Sequence, residues 1–131
     1  GTSALALGAA SASLDRLTGE ALKRPELREI VDPLSVERDQ VVGDLLAAAE
    51  DSADSQAPEL TNESLRRRSN SLALRAAQAY LAASKGAGFT ASHPASRAVR
   101  ESMFFLVWSC PQAVIEANLR EFAGVSDGPS C

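Results

Sequence analysis

The sequence is short of the side chains that most often carry metal and redox chemistry: one His, two Cys, one Trp and one Tyr in 131 residues. The single histidine, His93, has no HxxE, CxxC or HExxH spacing around it, so no zinc constellation is encoded. Cys110 and Cys131 do not make a disulfide framework, and the second is the last residue, where a bridge constrains little. Both are read as free thiols. Basic charge is also in deficit, with 13 Lys and Arg against 17 Asp and Glu, a net charge of −4 and a pI near 5.0. Nucleic acid and anionic membranes both call for a basic field, so neither is an expected partner. No basic-apolar leader opens the chain, and its longest apolar run, Met103–Trp108, is far too short to span a bilayer. The expected location is cytoplasmic.

What is present is helix-forming composition. Apolar residues make up 45% of the chain, much of that alanine and leucine, while aromatics supply only 5%. Few β-branched residues and many Ala, Leu, Glu and Arg favour an all-α fold. Residues 2–22 predict a first helix with Leu5, Ala9, Ala12 and Leu17 near one stripe and Thr2 or Ser3 as its cap. Pro25 and Pro33 are expected to bracket a short charged connection before a second helix from about Leu34 to Asp51, with Val41, Leu45, Leu46 and Ala49 at helical spacing. Thr61 caps a third helix that carries Leu65, Leu72, Leu74, Ala76 and Leu81 to a glycine stop at Lys85-Gly86-Ala87-Gly88. Pro94 opens a fourth, whose stripe is Ala95, Ala98, Val99, Ser102, Met103 and Leu106. Its last turns are apolar all round, which predicts burial on every side. A fifth follows Pro111 with Val114, Ile115, Leu119 and Phe122, stopping at Gly124. The expectation is one up-and-down helical bundle domain over 1–124, with residues 125–131 a flexible tail.

Chemistry-bearing motifs are weak. The "KGAG" at 85–88 lacks the GxxxxGK-Ser/Thr order and the preceding strand of a phosphate loop. It reads as a helix terminator, or as a place where the backbone comes close to a cofactor. Ser109-Cys110 has neither a base partner nor a nucleophile elbow around it; Ser109 suits a capping role before Pro111. Arg66-Arg67-Arg68 reads as a solvated face beside Glu59 and Glu63, with an anion grip as the lesser alternative. Arg97 and Arg100, one turn apart, either hold a carboxylate or phosphate or pair with the bundle's own acids. Composition and spacing alone specify no complete active site.

One ordered set of residues nevertheless resembles the C-terminal helical domain of acyl-CoA dehydrogenases. Gly88-Phe89-Thr90-Ala91-Ser92-His93-Pro94 lies without a gap on the family's G-Y/F-T-x-x-x-P turn. Arg97, Arg100 and Glu101 follow on its R-x-x-R-acid positions, and Trp108 falls on the aromatic of its Y-E-G-T segment. At the other end, GTSALALGAASASLD is similar to the family's opening helix. The resemblance covers Gly1 to about Gly124. It implies membership of a flavoprotein class that oxidises the Cα–Cβ bond of an acyl-CoA thioester with FAD as hydride acceptor. It also implies homo- or hetero-oligomers formed through helix faces.

The resemblance further implies what this chain lacks. Ser109 occupies the position of the general-base glutamate, and a hydroxyl is no base for carbon-acid chemistry near neutral pH. Arg24 matches the arginine of the R-K-Q-F cofactor loop, while Gly86 and Gly88 remain of the glycine turn, so these three are the expected FAD contacts. The flavin-holding domains of the family do not fit in this length. The expected role is therefore assembly and cofactor wall, with acyl-CoA handled only alongside additional domains. The alternatives are a non-catalytic partner subunit of a heteromeric dehydrogenase and an unrelated helical oligomerisation module.

Overall fold

The computed structural model describes residues 1–50, 57–85, 88, 90, 92–107 and 110–125. Among these the chain is helical and forms no strand. The helices are α1 (Thr2–Lys23), α2 (Arg28–Glu50), α3 (Asn62–Ala83), α4 (Pro94–Phe104) and α5 (Gln112–Ala123). Single 3-10 turns, Pro25–Leu27 and Pro58–Leu60, precede α2 and α3.

The helices alternate in direction. Val41, far along α2, packs with Ala6, Leu7 and Ala10 near the start of α1, while Val31 packs with Leu17 and Ala21 near its end. The two are therefore antiparallel. α3 runs with α1, since its Leu72, Ala73 and Ala76 meet the first cluster and its Ala79 and Ala83 the second. α4 returns, placing His93 beside Tyr80 and Phe105 beside Asn70. α5 runs along α3 again, with Glu121 reaching Ser71. α3 touches all four other helices and buries eleven residues, more than any of them.

Small residues explain the tight α1–α3 pairing. Ala6, Ala10 and Ser13 on one helix and Ala73, Ala76 and Ala77 on the other are all buried, and side chains this short let two axes approach closely. Leu14, Leu17, Leu65 and Leu72, each at most 1% exposed, fill the space beside them. Burying each stabilises the fold by roughly 1.5–3 kcal/mol.

Local signals set several helix ends. Thr61 Oγ1 accepts the Ser64 N–H at 3.2 Å, the expected N-cap of α3. Pro94 takes the first position of α4, and the ring Nδ1 of His93 accepts the Ala95 N–H at 3.0 Å. Gly124 closes α5 in the left-handed region, φ 69°, with Val125 N–H on the Arg120 carbonyl and Gly124 N–H on that of Glu121. That pair of bonds is a Schellman close.

Five expectations need correction. The N-cap of α1 is Gly1, without a side-chain bond, rather than Thr2 or Ser3. The buried stripe of α1 is Ala6, Leu7, Ala10, Leu14, Leu17 and Ala21; Leu5 is 60% exposed. Pro33 does not end a connection but sits inside α2, which starts at Arg28 as a continuation of the 3-10 turn. Its ring removes one helical N–H on the exposed side, where water can satisfy the Glu29 carbonyl. Arg66 is no solvated residue: it is 7% exposed and donates from Nε to Asn70 Oδ1 at 3.2 Å. Its neighbour Arg68 bridges to Asp44 on α2 at 2.7 Å. Finally, the end of α4 is not buried all round. Met103 and Phe104 are about half exposed and Val107 is 75% exposed, and on α5 Leu119 and Phe122 also face outward. Only Phe105 of the run turns fully inward among the described residues.

Candidate functional site

The ends of α1 and α3 and the start of α4 meet at one pole of the bundle. α1 stops at Lys23, and Arg24 leaves the helix with φ −131° and ψ 86°. Its guanidinium donates to the Ala83 carbonyl at the end of α3 and to Glu20 Oε2, the latter at 3.3 Å. The last carbonyls of a helix lack partners within it and carry its negative end. Arg24 meets both needs at once.

α3 ends just beyond that contact. Ser84 bonds back through its N–H and its hydroxyl to the Tyr80 carbonyl. Lys85 then takes φ 57°, the left-handed conformation expected of the glycine stop. The turn therefore places a lysine where glycine is cheapest, a cost of roughly 1–2 kcal/mol. Gly88 follows at a position where any side chain would be crowded. A Cβ there would lie 2.9 Å from Leu81 Cδ1, 3.0 Å from Ser84 Cβ and 3.1 Å from the Leu81 carbonyl oxygen. The close backbone approach read from the glycines is thus made, for Gly88, to the last turn of α3.

A cavity of about 290 Å³ opens here, lined by Glu20, Arg24, Ala83, Ser84, Lys85 and His93. Two cations against one carboxylate give it a positive balance. The His93 ring, part of this lining, has its centroid 6.1 Å from that of Tyr80. Of the three glycine-turn and loop residues singled out from sequence, Arg24 lines this cavity and Gly88 packs against Ser84 beside it. Gly86 lies outside the described residues, as do Trp108 and Ser109.

Near the middle of the fold, Asn70 is an organising residue that sequence reading missed. It is fully buried, accepts from Arg66, and donates from Nδ2 to the Phe105 carbonyl at 3.1 Å. A polar residue amid the apolar periodicity of α3 was the available signal. The bond fixes the turn after α4, so that Phe105 points inward and Phe104 outward. A largely apolar groove of about 560 Å³ lies there, with Leu5, Ala9, Phe104 and Phe105 as walls and Arg100 and Glu101 at its margin.

The paired arginines of α4 do not act together. Arg97 donates from Nε to Glu101 at 2.6 Å, and Arg100 donates to Ser96 Oγ at 2.7 Å. Among the described residues no cluster of His, Cys, Asp and Glu is arranged to hold a metal, and no helix is long and apolar enough to cross a membrane. Cys110 is a free, half-buried thiol. No family model, curated protein or solved structure matches the chain.

Proposed function

We propose that this bundle is the C-terminal helical unit of an acyl-CoA dehydrogenase-like flavoprotein, and that it supplies assembly contacts and part of the wall around FAD rather than the reacting groups. The observation that carries the reading is the meeting of Arg24 with the end of α3 at Ala83, beside Ser84, Lys85 and Gly88. Two segments that the resemblance assigns separately to the cofactor, far apart in sequence, line or adjoin one positively balanced cavity.

The size and chemistry of that cavity suit a partial contact. At about 290 Å³ it falls at the lower edge of ligand pockets, roughly 300–1,000 Å³. It accommodates an anionic segment of a dinucleotide but not the whole molecule. Arg24, with Lys85 beside it, would hold such a segment by charge-assisted bonds. When bound, FAD supplies hydride acceptance. The chain's own part is to fix charge and exclude water at this edge. With serine at the position of the family's base, proton abstraction falls to a carboxylate elsewhere.

Assembly is supported by the outward side chains at the end of α4. Met103, Phe104 and Val107, with Leu5 of α1, leave apolar surface that a contact would cover. The same surface favours a second reading, an oligomerisation module with no flavin link. Ser109 at the base position favours a third, a non-catalytic subunit completed by a catalytic partner.

The test is to follow the natural reading frame upstream of Gly1 and to assay the isolated chain with FAD and an acyl-CoA. The expected result is an upstream helical and β-sheet region in the frame and no turnover by residues 1–131. Unaided dehydrogenation, or a frame and partners without any flavin-holding region, would overturn the proposal.

A further inference from the structure

Arg100, one turn along α4 from Arg97, is turned to Ser96. Arg97 instead shares a groove with Arg16 of α1. Both line a cavity of about 330 Å³ between α1 and α4. The space exists because the facing residues are small: Ala9, Ala12 and Ser13 on α1 and Ala98 on α4.

We infer that this groove is a binding site for a phosphate-type oxyanion, held by Arg16, Arg97 and the hydroxyl of Ser13. Ser13 is only 2% exposed, lines the groove, and makes no hydrogen bond to any described residue. Its hydroxyl opens onto the groove, where a bound oxygen can accept from it. Arg16 likewise has no hydrogen-bond or ion-pair partner among the described residues, and its five donors are available. Arg97 spends Nε on Glu101 and keeps its two terminal amino groups.

Charge and geometry select the ligand. Two guanidinium groups against the single carboxylate of Glu101 leave the lining positive, in a chain whose net charge is −4. The Pro94 end of α4, also in the lining, adds the positive end of a helix dipole. Donors contributed from two helices, with a hydroxyl between, suit the divergent oxygens of a tetrahedral anion better than the two coplanar oxygens of a carboxylate. The site is separate from the Arg24 cavity and shares no lining residue with it.

The experiment is an amide-resonance titration of the 131-residue chain with inorganic phosphate, with a phosphate monoester such as ethyl phosphate, and with acetate, at constant ionic strength. Phosphate or the monoester should shift Ser13, Arg16 and Arg97 together. Tighter binding of the monoester identifies a phosphorylated molecule as the ligand, and tighter binding of inorganic phosphate identifies the free ion. Arg16→Gln should weaken binding about tenfold or more, because a charge-assisted bond is lost, with far-UV circular dichroism unchanged. Ser13→Ala should weaken it by a smaller factor. Equal binding of acetate overturns the assignment. So do undiminished affinity in Arg16→Gln and shifts confined to Arg24 and Lys85.

Discussion

The guanidinium of Arg24, at the end of α1, donates to the carbonyl of Ala83, the last residue of α3. One side chain thus closes two parallel helices at the same pole and sets a positive group against the negative end of α3. Arg24→Ala should lower stability by about 1–2 kcal/mol, since it frees the carbonyl and removes the helix-end charge. Arg24→Lys, which keeps the charge but not the planar fork, should recover only part. Urea midpoints of the three proteins check this.

Lys85 carries a left-handed backbone that glycine adopts without penalty. Lys85→Gly should therefore stabilise the fold by about 1 kcal/mol and raise Tm by roughly 3–5 °C. Differential scanning calorimetry reads the shift. An unchanged or lower Tm would mean that the lysine side chain makes up for its backbone.

Asn70 donates from its buried amide to the Phe105 carbonyl in the turn after α4. Asn70→Leu keeps the volume but strips the Phe105 carbonyl of that donor and Arg66 of a buried acceptor. The expected loss is about 2–4 kcal/mol, with faster hydrogen exchange at Phe105 and Leu106, whose N–H groups bond within the same turn. A loss within a few tenths of the parent would contradict the clamp.

Arg75 ties three helices together. It grips both carboxylate oxygens of Glu37 on α2 and donates to Ser71 Oγ, which donates in turn to Glu121 on α5. The Glu37 hydrogen bond, reinforced by the charges of Glu37 and Glu121, outweighs partial burial and raises the already high Arg75 pKa. A raised pKa on a base contributes stability that is present below the unfolded value and is lost only as pH climbs through the folded one. This contribution should hold throughout the neutral and mildly alkaline range. A Glu37–Arg75 double-mutant cycle should give a coupling below about 1 kcal/mol, because both side chains are more than a third exposed, and it should shrink in high salt.

The parts of the fold legible in sequence are those fixed locally. Thr61, Pro94 and Gly124 mark helix ends through bonds within a few residues, and each marks the end expected of it. Pro33 misleads because a proline on an exposed helix face costs one backbone bond and need not end the helix. Long-range facts escape the pattern altogether. The run Met103–Val107 is apolar, but nothing in it says which sides find neighbours; α4 lies on α1 and α3, and Met103 and Val107 face away from them. Arg66 looks in sequence like Arg67 and Arg68, both only half-buried, until Asn70 is seen to accept from it. Arg97 looks like the partner of Arg100 because the two are close in sequence, whereas the groove pairs it with Arg16 on another helix. The candidate cofactor residues come from a resemblance, and the nearness of Arg24 and Gly88 at one pole could not be read from spacing.

The central claim is that this bundle lends a flavoprotein its contacts, with Arg24 at the cofactor's edge. The most direct measurement is the flavin content of the natural full-length product that contains residues 1–131, purified beside its Arg24→Ala variant. The account predicts stoichiometric FAD in the parent and a marked loss in the variant, at temperatures where both remain folded. A parent that carries no flavin, or a variant that holds it as tightly, would contradict it.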